Sequence, residues 1–475
     1  MNIYSEYFSI LEKYFSSFHK ASVDNNIDPE IIAEDVKNTP KVFESLKKLL
    51  PEIKLSIENY WLTNNNVVTE NCKSLPGFKT RFGGDIGPQK SHHLIERVSI
   101  YFDTIIIPDP ILRVLSFPAT DDVICYYLVK YAINQILFKE AYLLDVNPPV
   151  AMLVPDKELV SSNKYDFSEL NNYGSIDSVI ITNRLYGENI NSFDEALQFY
   201  SRFKDIDEAY REIIEPEIIW WDETVPRNLF EQLDSIKKKA YEHFEKDKFP
   251  YEVNDPRFLL IQLNGRLMQV NDVLVRSYEN DSSPLVTAPV SYHWLKQKII
   301  TNQNIFFDGK YQHKNINLGI TNALLSQKND WLDNITFPQV EFLRKNSSVT
   351  ELRKIIKSEM ETLGNVTFNE LDKIANQVDY NLNNAFLKHR SSLEEIQNEL
   401  KKDIAMKGIS FLTSATIALQ PLVGNFLPIW ASYMGGLTGL HNLSDIISSI
   451  KTFLKQNKKL KQSPVGILFE SKSHT

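Results

Sequence analysis

The sequence predicts a mainly helical protein with a small α/β element, in which a long C-terminal helix leads to a hydrophobic helical hairpin. Three observations support this prediction. Apolar residues recur at helical spacing through most of the chain, short β-branched runs lie between residues 102 and 182, and the stretch from Gly408 to Ser444 has no Lys, Arg, Asp or Glu. We divide the chain into a helical N-terminal module (1–62), a small α/β element with a glycine-rich loop (63–190), a helical middle region (191–346), long amphipathic helices (347–407), and the hairpin with a basic tail (408–475).

The N-terminal module shows helical periodicity in two segments. Ile3, Tyr7, Ile10 and Leu11 share one helical face, and a second apolar set follows after residue 40. Asp28 and Pro29 fit an N-cap followed by proline at the first helical position. We expect the last helix to end near Trp61, because the polar run TNNNVVTEN follows.

Residues 75–93 are predicted to form a loop rich in glycine. The GxxxxGK[ST] spacing of a phosphate-binding P-loop is absent. An anion bound near Lys79 and Arg81 is one interpretation, and an ordered glycine turn that links two domains is the favoured one.

The α/β element rests on three short strand candidates, Phe102–Ile107, Val150–Val154 and Ser178–Thr182. A strong helix from Ala119 to Leu144, with Thr120 as a capping residue, separates the first two. No GxGxxG motif follows any of the strands, so the pattern does not predict a Rossmann unit.

Four residues near the first strand are weak catalytic candidates. His92 and Glu96 share a helical face, which suits metal ligation, but no further ligand group follows at a suitable spacing, and no metal site is predicted. Asp103 and Asp109 bracket the strand, where α/β enzymes place carboxylates. Helix or turn capping is the favoured role for both. A hydrolase at this strand end remains the enzymatic alternative.

The middle region contains three arginines in one helical stretch, Arg257, Arg266 and Arg276. An anionic ligand could contact them, but we expect salt bridges to neighbouring acidic residues. Further on, a helix from Phe368 toward Lys407 is long for a globular protein and suits a stalk or an oligomerising helix.

The hairpin is interrupted by Pro421 and Gly424 between two apolar arms. Small residues repeat every fourth position, which allows two helix backbones to approach closely, as in membrane helix pairs. These residues are Ser410, Ser414 and Ala418 on the first arm and Ala431, Gly435 and Gly439 on the second.

The length of each arm leaves two interpretations open. Both arms are shorter than the roughly 20 apolar residues of a membrane crossing, which favours a buried core or an oligomer interface. Alternatively, the hairpin is stored against the protein and released into a membrane. A basic cluster that could meet anionic lipid follows it, although a solvated helix face is the commoner explanation. The cluster comprises Lys451, Lys455, Lys458, Lys459 and Lys461.

Composition excludes several classes of protein. The chain has 475 residues and a net charge of −9, with no long basic tract before its tail, so no nucleic-acid partner is expected. Cys72 and Cys125 are far apart, which argues against a disulfide scaffold and fits a cytoplasmic location. If the hairpin is released, we expect the protein to associate with a membrane on activation. No cofactor is predicted.

The leading hypothesis is therefore a non-enzymatic, membrane-acting effector of the bacterial toxin or antiphage defence type. This assignment is an analogy to proteins that join soluble modules to a hydrophobic hairpin. Membrane lipid, and another copy of the chain or a protein partner, are the expected partners. The alternatives are a soluble assembly subunit whose hairpin is permanent core or interface, and the hydrolase near the first strand.

Overall fold

The computed structural model of the chain is mainly helical and contains one small parallel sheet, as the sequence predicts in outline. The predicted hairpin and the basic cluster after it lie outside the described part, as does the predicted long helix except for Tyr380, which is helical. The structure describes residues 3–77, 79–84, 86–89, 94–99, 102–117, 119–156, 168–214, 251–286, 291, 293–295, 297–298, 337–345 and 380.

Three helices begin the chain: α1 (Tyr4–Asn25), α2 (Pro29–Lys37) and α3 (Pro40–Ser74). The Asp28 side chain accepts a hydrogen bond from the Glu30 amide at 2.8 Å, so the predicted cap of α2 is confirmed. The predicted end of α3 near Trp61 is wrong. The helix continues because Val68 and Cys72 are buried at helical spacing while the polar residues around them face solvent.

The sheet has four parallel strands in the order β3-β2-β1-β4, and every residue in them is buried. The predicted strands near residues 105 and 152 are confirmed as β2 and β3. β1 lies inside the segment predicted to be a loop, and β4 lies in the region predicted to be helical. The strands are β1 (Lys79–Gly83), β2 (Thr104–Pro108), β3 (Ala151–Val154) and β4 (Ser283–Val286).

Helices connect the strands and continue after the last one. The helix between β1 and β2 is α4 (Leu94–Val98). The helices between β2 and β3 are α5 (Pro110–Leu115), α6 (Asp121–Leu137) and α7 (Lys139–Leu143). The helices between β3 and β4 are α8 (Ser168–Tyr186), α9 (Phe193–Tyr200), α10 (Ile206–Arg211) and α11 (Arg257–Glu279), and α12 (Phe337–Lys345) follows β4.

One strand prediction and one helix prediction need correction. Ser178–Thr182 is not a strand but part of α8, where Ser178 Oγ donates to the Gly174 carbonyl one turn earlier at 2.7 Å. Its β-branched residues pack as helix because Gly174 allows α8 to approach α11 closely; a Cβ there would lie 2.4 Å from Asn264 Oδ1. The predicted helix Ala119–Leu144 is divided into α6 and α7 at Phe138.

The sheet is packed against helices that lie on both of its faces. Extension of the β1–β2 register places Gly83 beside Pro108, so Asp109, the next residue along, points to the opposite face. Gly83 contacts α11, where a Cβ would lie 2.1 Å from Val273 Cγ2. Asp109 contacts Tyr7 of α1 and Trp61 of α3. The N-terminal helices therefore belong to the same core as the sheet.

Candidate ligand-binding site at the carboxyl edge of the sheet

The strand order contains a topological switch point between β1 and β4. From β1 the chain adds β2 and then β3 on one side, and it returns to place β4 on the other side of β1. In open parallel sheets, ligands bind outside the carboxyl ends of the strands at such a point, because the connections diverge there and leave a crevice. Gly83 ends β1 and Val286 ends β4 at this position.

A tightly packed glycine turn follows β1 at the switch point. Gly84 has φ +82°, and a Cβ on it would lie 2.7 Å from the Ser291 Cβ. Ser291 Oγ donates to the Gly84 carbonyl at 2.9 Å. A Cβ on Gly87 would lie 2.7 Å from the Pro110 Cβ. Side chains at these positions would push the turn away from the segments that follow β2 and β4.

Beside the turn, on the face covered by α11, lies a network of charged side chains. Arg81 of β1 contacts Asp156 at 3.2 Å, and Arg113 of α5 contacts the other oxygen of Asp156 at 2.6 Å. Arg113 also reaches Asp272 of α11 at 3.2 Å, and Arg276 lies 3.6 Å from Asp272. We call these five residues the charge network.

One end of the charge network is fully buried, and the other, which we call its wetter end, is partly exposed to solvent. The side chains of Arg81 and Asp156 are 3% and 0% exposed, whereas those of Arg113, Asp272 and Arg276 are 11–15% exposed. Burial lowers the pKa of the Arg81 guanidinium, and Asp156 opposes that shift. Burial also disfavours ionisation of Asp156, but Arg113 and Arg81 outweigh it and hold the pKa of that carboxyl below its ordinary value. The network is thus a fixed array of charges, and its wetter end is the part that a ligand can reach.

Asp109 is a second buried carboxyl at the same edge, and its hydrogen bonds hold neighbouring helices together. Its oxygens accept hydrogen bonds from Tyr7 Oη at 2.6 Å, Trp61 Nε1 at 2.5 Å and the Ile111 amide at 2.8 Å. The bond from Ile111 confirms that Asp109 caps α5. Burial raises the pKa of the Asp109 carboxyl to about 6, although these three donors lower it. The side chain joins α1, α3 and α5 around β2.

Two of the four catalytic candidates, Asp103 and Asp109, lie at opposite ends of β2. His92 lies outside the described residues, and Glu96 is buried in α4. Asp103 precedes β2 and Asp109 follows it, so about 20 Å of extended chain separates their Cα atoms. Among the described residues, Asp109 and Asp156 are the strand-end carboxylates at the carboxyl edge, and they point to opposite faces. They do not form the paired carboxylates of a glycosidase-type site.

The other basic candidates make contacts within the protein. Lys79 Nζ donates to the carbonyls of Cys72 and Lys73 at 3.3 and 3.1 Å, at the end of α3. Arg257 pairs with Asp255, and Arg276 pairs with Asp272, as the salt-bridge prediction requires. Arg266 instead donates to Gln269.

The sequence analysis missed Asp156, Arg113 and Asp272. Asp156 follows β3 much as Asp109 follows β2, so the rule that singled out Asp109 applies to it as well. Arg113 and Asp272 lie inside helical patterns, and no local signal distinguishes them from solvated residues.

No group of three or more His, Cys, Asp and Glu side chains within the described ranges is arranged to hold a metal ion. Among the helices of the described part, none combines the length and apolar composition needed to cross a membrane.

Comparisons with known proteins identify no relative: no protein-family model, curated protein or solved structure matches the chain.

Proposed function

We propose that the α/β part of this chain binds a small phosphate-bearing ligand at the carboxyl edge of its sheet. The strand order is the observation that carries this proposal, because it locates a switch point between β1 and β4. The glycine turn supports it, since the positive φ of Gly84 lets the backbone turn tightly at the end of β1, beside the switch point.

The charge network supports an anionic ligand. Arg113 and Arg276 lie at its wetter end, and guanidinium groups match the geometry of phosphate oxygens. Asp156 and Asp272 hold the Arg113 guanidinium in position, and Glu279 accepts hydrogen bonds from Arg276 Nη1 at 3.1 and 3.2 Å. The ligand would add acceptors to guanidinium groups that are already fixed, so little side-chain entropy is lost on binding.

The test compares two glycine variants by thermal shift with ATP, NAD⁺ and inorganic phosphate as probes. Gly84→Ala and Gly187→Ala both place alanine at positive φ, but the new Cβ of the second meets only Ile214 Cδ1, at 3.8 Å, away from the sheet. We expect at least one probe to raise the Tm of the wild type and of Gly187→Ala but not of Gly84→Ala. An equal shift in Gly84→Ala, or no shift with any of the three probes, would contradict the proposal.

A second proposal concerns the uncharged stretch from Gly408 to Ser444, and it rests on sequence alone. We propose that the chain is a membrane-acting effector without enzymatic activity, in which the ligand-binding part controls this stretch. Such a long stretch without charge, with small residues every fourth position, is typical of helices that pack closely in lipid.

Dye release from vesicles of phosphatidylglycerol and phosphatidylethanolamine tests the second proposal. We expect the full chain to release dye, and Gly435→Leu with Gly439→Leu to abolish release because the arms no longer pack closely. The matched control is Ser432→Leu with Thr438→Leu, which also places two leucines on the same arm but outside the small-residue ladder. Equal release by both double variants would contradict the proposed packing. A monodisperse full chain without release, with or without the three probes, would favour the hairpin as permanent core of an assembly.

A further inference from the structure

Four backbone carbonyl oxygens converge at the amino edge of the sheet, and one side chain, Arg344, occupies the space between them. Arg344 belongs to α12 (Phe337–Lys345), which precedes the predicted long helix in the chain. Its Nη2 donates to the carbonyls of Ser99 at 2.9 Å and Phe102 at 2.8 Å, and its Nη1 donates to those of Asp103 at 2.5 Å and Pro148 at 3.5 Å.

The position of these carbonyls defines the surface. Ser99 follows α4, Phe102 and Asp103 lead into β2, and Pro148 lies just before β3. All four therefore lie at the edge opposite the candidate ligand site. Converging carbonyls accept hydrogen bonds and cannot donate them, and a planar guanidinium with five N–H donors satisfies several at once. A lysine ammonium, with three donors on one atom, cannot span them.

The other described side chains of α12 include a buried apolar pair and a charged pair that lies nearer to solvent. Phe337 and Val340 are its buried apolar side chains among those described, and Lys345 is exposed and paired with Glu341 on the same helix. A helix of nine residues is not stable in water by itself, so α12 depends on docking for its structure. Elements of this kind open locally far more readily than the core does.

We infer that the amino edge of the sheet is an intramolecular docking surface whose occupant is α12, and that Arg344 holds it there. Undocking of α12 releases the chain that leads to the stretch Gly408–Ser444. The docking itself is independent of the proposed functions. The consequence for the uncharged stretch rests on the proposed membrane activity.

Hydrogen exchange of the full-length protein tests the docking. We expect Arg344→Ala to raise the exchange rates of α12 amides more than tenfold, while β2 and β3 keep their protection. Arg344→Lys should have a similar effect, because the charge alone does not satisfy four carbonyls. Lys345→Ala, the exposed neighbour, is the matched control and should exchange like the wild type. Unchanged exchange in Arg344→Ala would overturn the docking role of Arg344.

Maleimide labelling tests the release without requiring membrane activity. Both native cysteines are buried, so a Ser414→Cys reporter gives a clean signal. We expect at least fivefold faster labelling of the reporter when Arg344→Ala is added, and no change when Lys345→Ala is added. Equal labelling rates would overturn the claim that α12 restrains the downstream chain. Faster labelling without vesicle dye release would support the restraint and contradict the membrane function alone.

Discussion

Arg81 and Asp156 form a buried ion pair although a whole strand, β2, separates the strands to which they are attached. Arg113 shares the same carboxylate at 2.6 Å and also pairs with Asp272 at 3.2 Å, so two aspartates face the two guanidinium groups. Charges taken out of water are costly, and they are tolerated here because each has an opposite partner.

Removal of Asp156 should therefore be severely destabilising. We expect Asp156→Ala to lower the free energy of unfolding by about 3–5 kcal/mol, because Arg81 and Arg113 would remain buried without this partner. Urea denaturation at neutral pH measures the change. The control is Glu52→Ala, which breaks an exposed pair with Lys13 and should leave the midpoint almost unchanged. Similar midpoints for both variants would contradict the importance of the network.

The raised pKa of Asp109 should make the free energy of unfolding fall as pH rises, whereas an ordinary salt-bridged aspartate makes it rise. The folded pKa of Asp109 is about 6, and aspartate in an unfolded chain has a pKa near 4. Between these values the folded state binds more protons than the unfolded state, so its contribution to stability is present at pH 4 and is lost as pH rises through 6. The loss is about 3 kcal/mol across this window.

Denaturation at pH 4, 5, 6 and 7, with Asp109→Asn as reference, isolates this contribution. The asparagine has no titration, so we expect the stability difference, wild type minus variant, to fall as pH rises. At every pH the variant also leaves one donor unsatisfied, at a cost of about 1–3 kcal/mol. A difference that is flat from pH 4 to 7 would show that burial does not raise this pKa.

Trp61→Phe should move the same pH window upward. The substitution removes the N–H that donates to Asp109 Oδ2 at 2.5 Å, and that hydrogen bond stabilises the ionised form. We expect the midpoint of the stability loss to lie above pH 6. Tyr14→Phe, which removes a hydroxyl from the exposed side of α1, is the control and should leave the midpoint unchanged. A lower midpoint in Trp61→Phe would contradict the assigned donor.

Two glycines on facing helices should respond in opposite directions to alanine. Gly265 in α11 has nothing within 4 Å of a new Cβ, so Gly265→Ala should stabilise the protein by about 0.5–1 kcal/mol through helix propensity. Gly174 in α8 faces Asn264 Oδ1 at 2.4 Å, so Gly174→Ala should raise the energy of the close helix contact and lower the Tm. If both variants were stabilised, the close approach of α8 and α11 would be wrong.

Local chemistry was sufficient to predict several elements. β2 and β3 are apolar runs with Pro108 at the end of the first and Pro155 directly after the second. α2 and α6 begin after Asp28 and Thr120, whose side chains accept from backbone amides, and Asp109 has the capping role that was favoured for it. These features depend on residues within one or two turns of each other, so they are visible in the sequence.

β1 and α8 show where local pattern fails. The segment Lys79–Gly83 carries two cations and a glycine, so it does not look like a buried strand. It is buried because Lys79 meets the carbonyls at the end of α3 and Arg81 meets Asp156. Ser178–Thr182 looks like a strand, yet the close contact between α8 and α11 makes it helical.

The sequence by itself determined the helical class, the two apolar strands and the uncharged stretch near the C-terminus, because periodicity and composition are local properties. Only the tertiary structure decided the strand order, the switch point beside Gly84 and the partners of Arg81 and Arg344. Those depend on pairing between residues far apart in the chain: a buried charge is stable only where folding supplies an opposite charge or converging carbonyls.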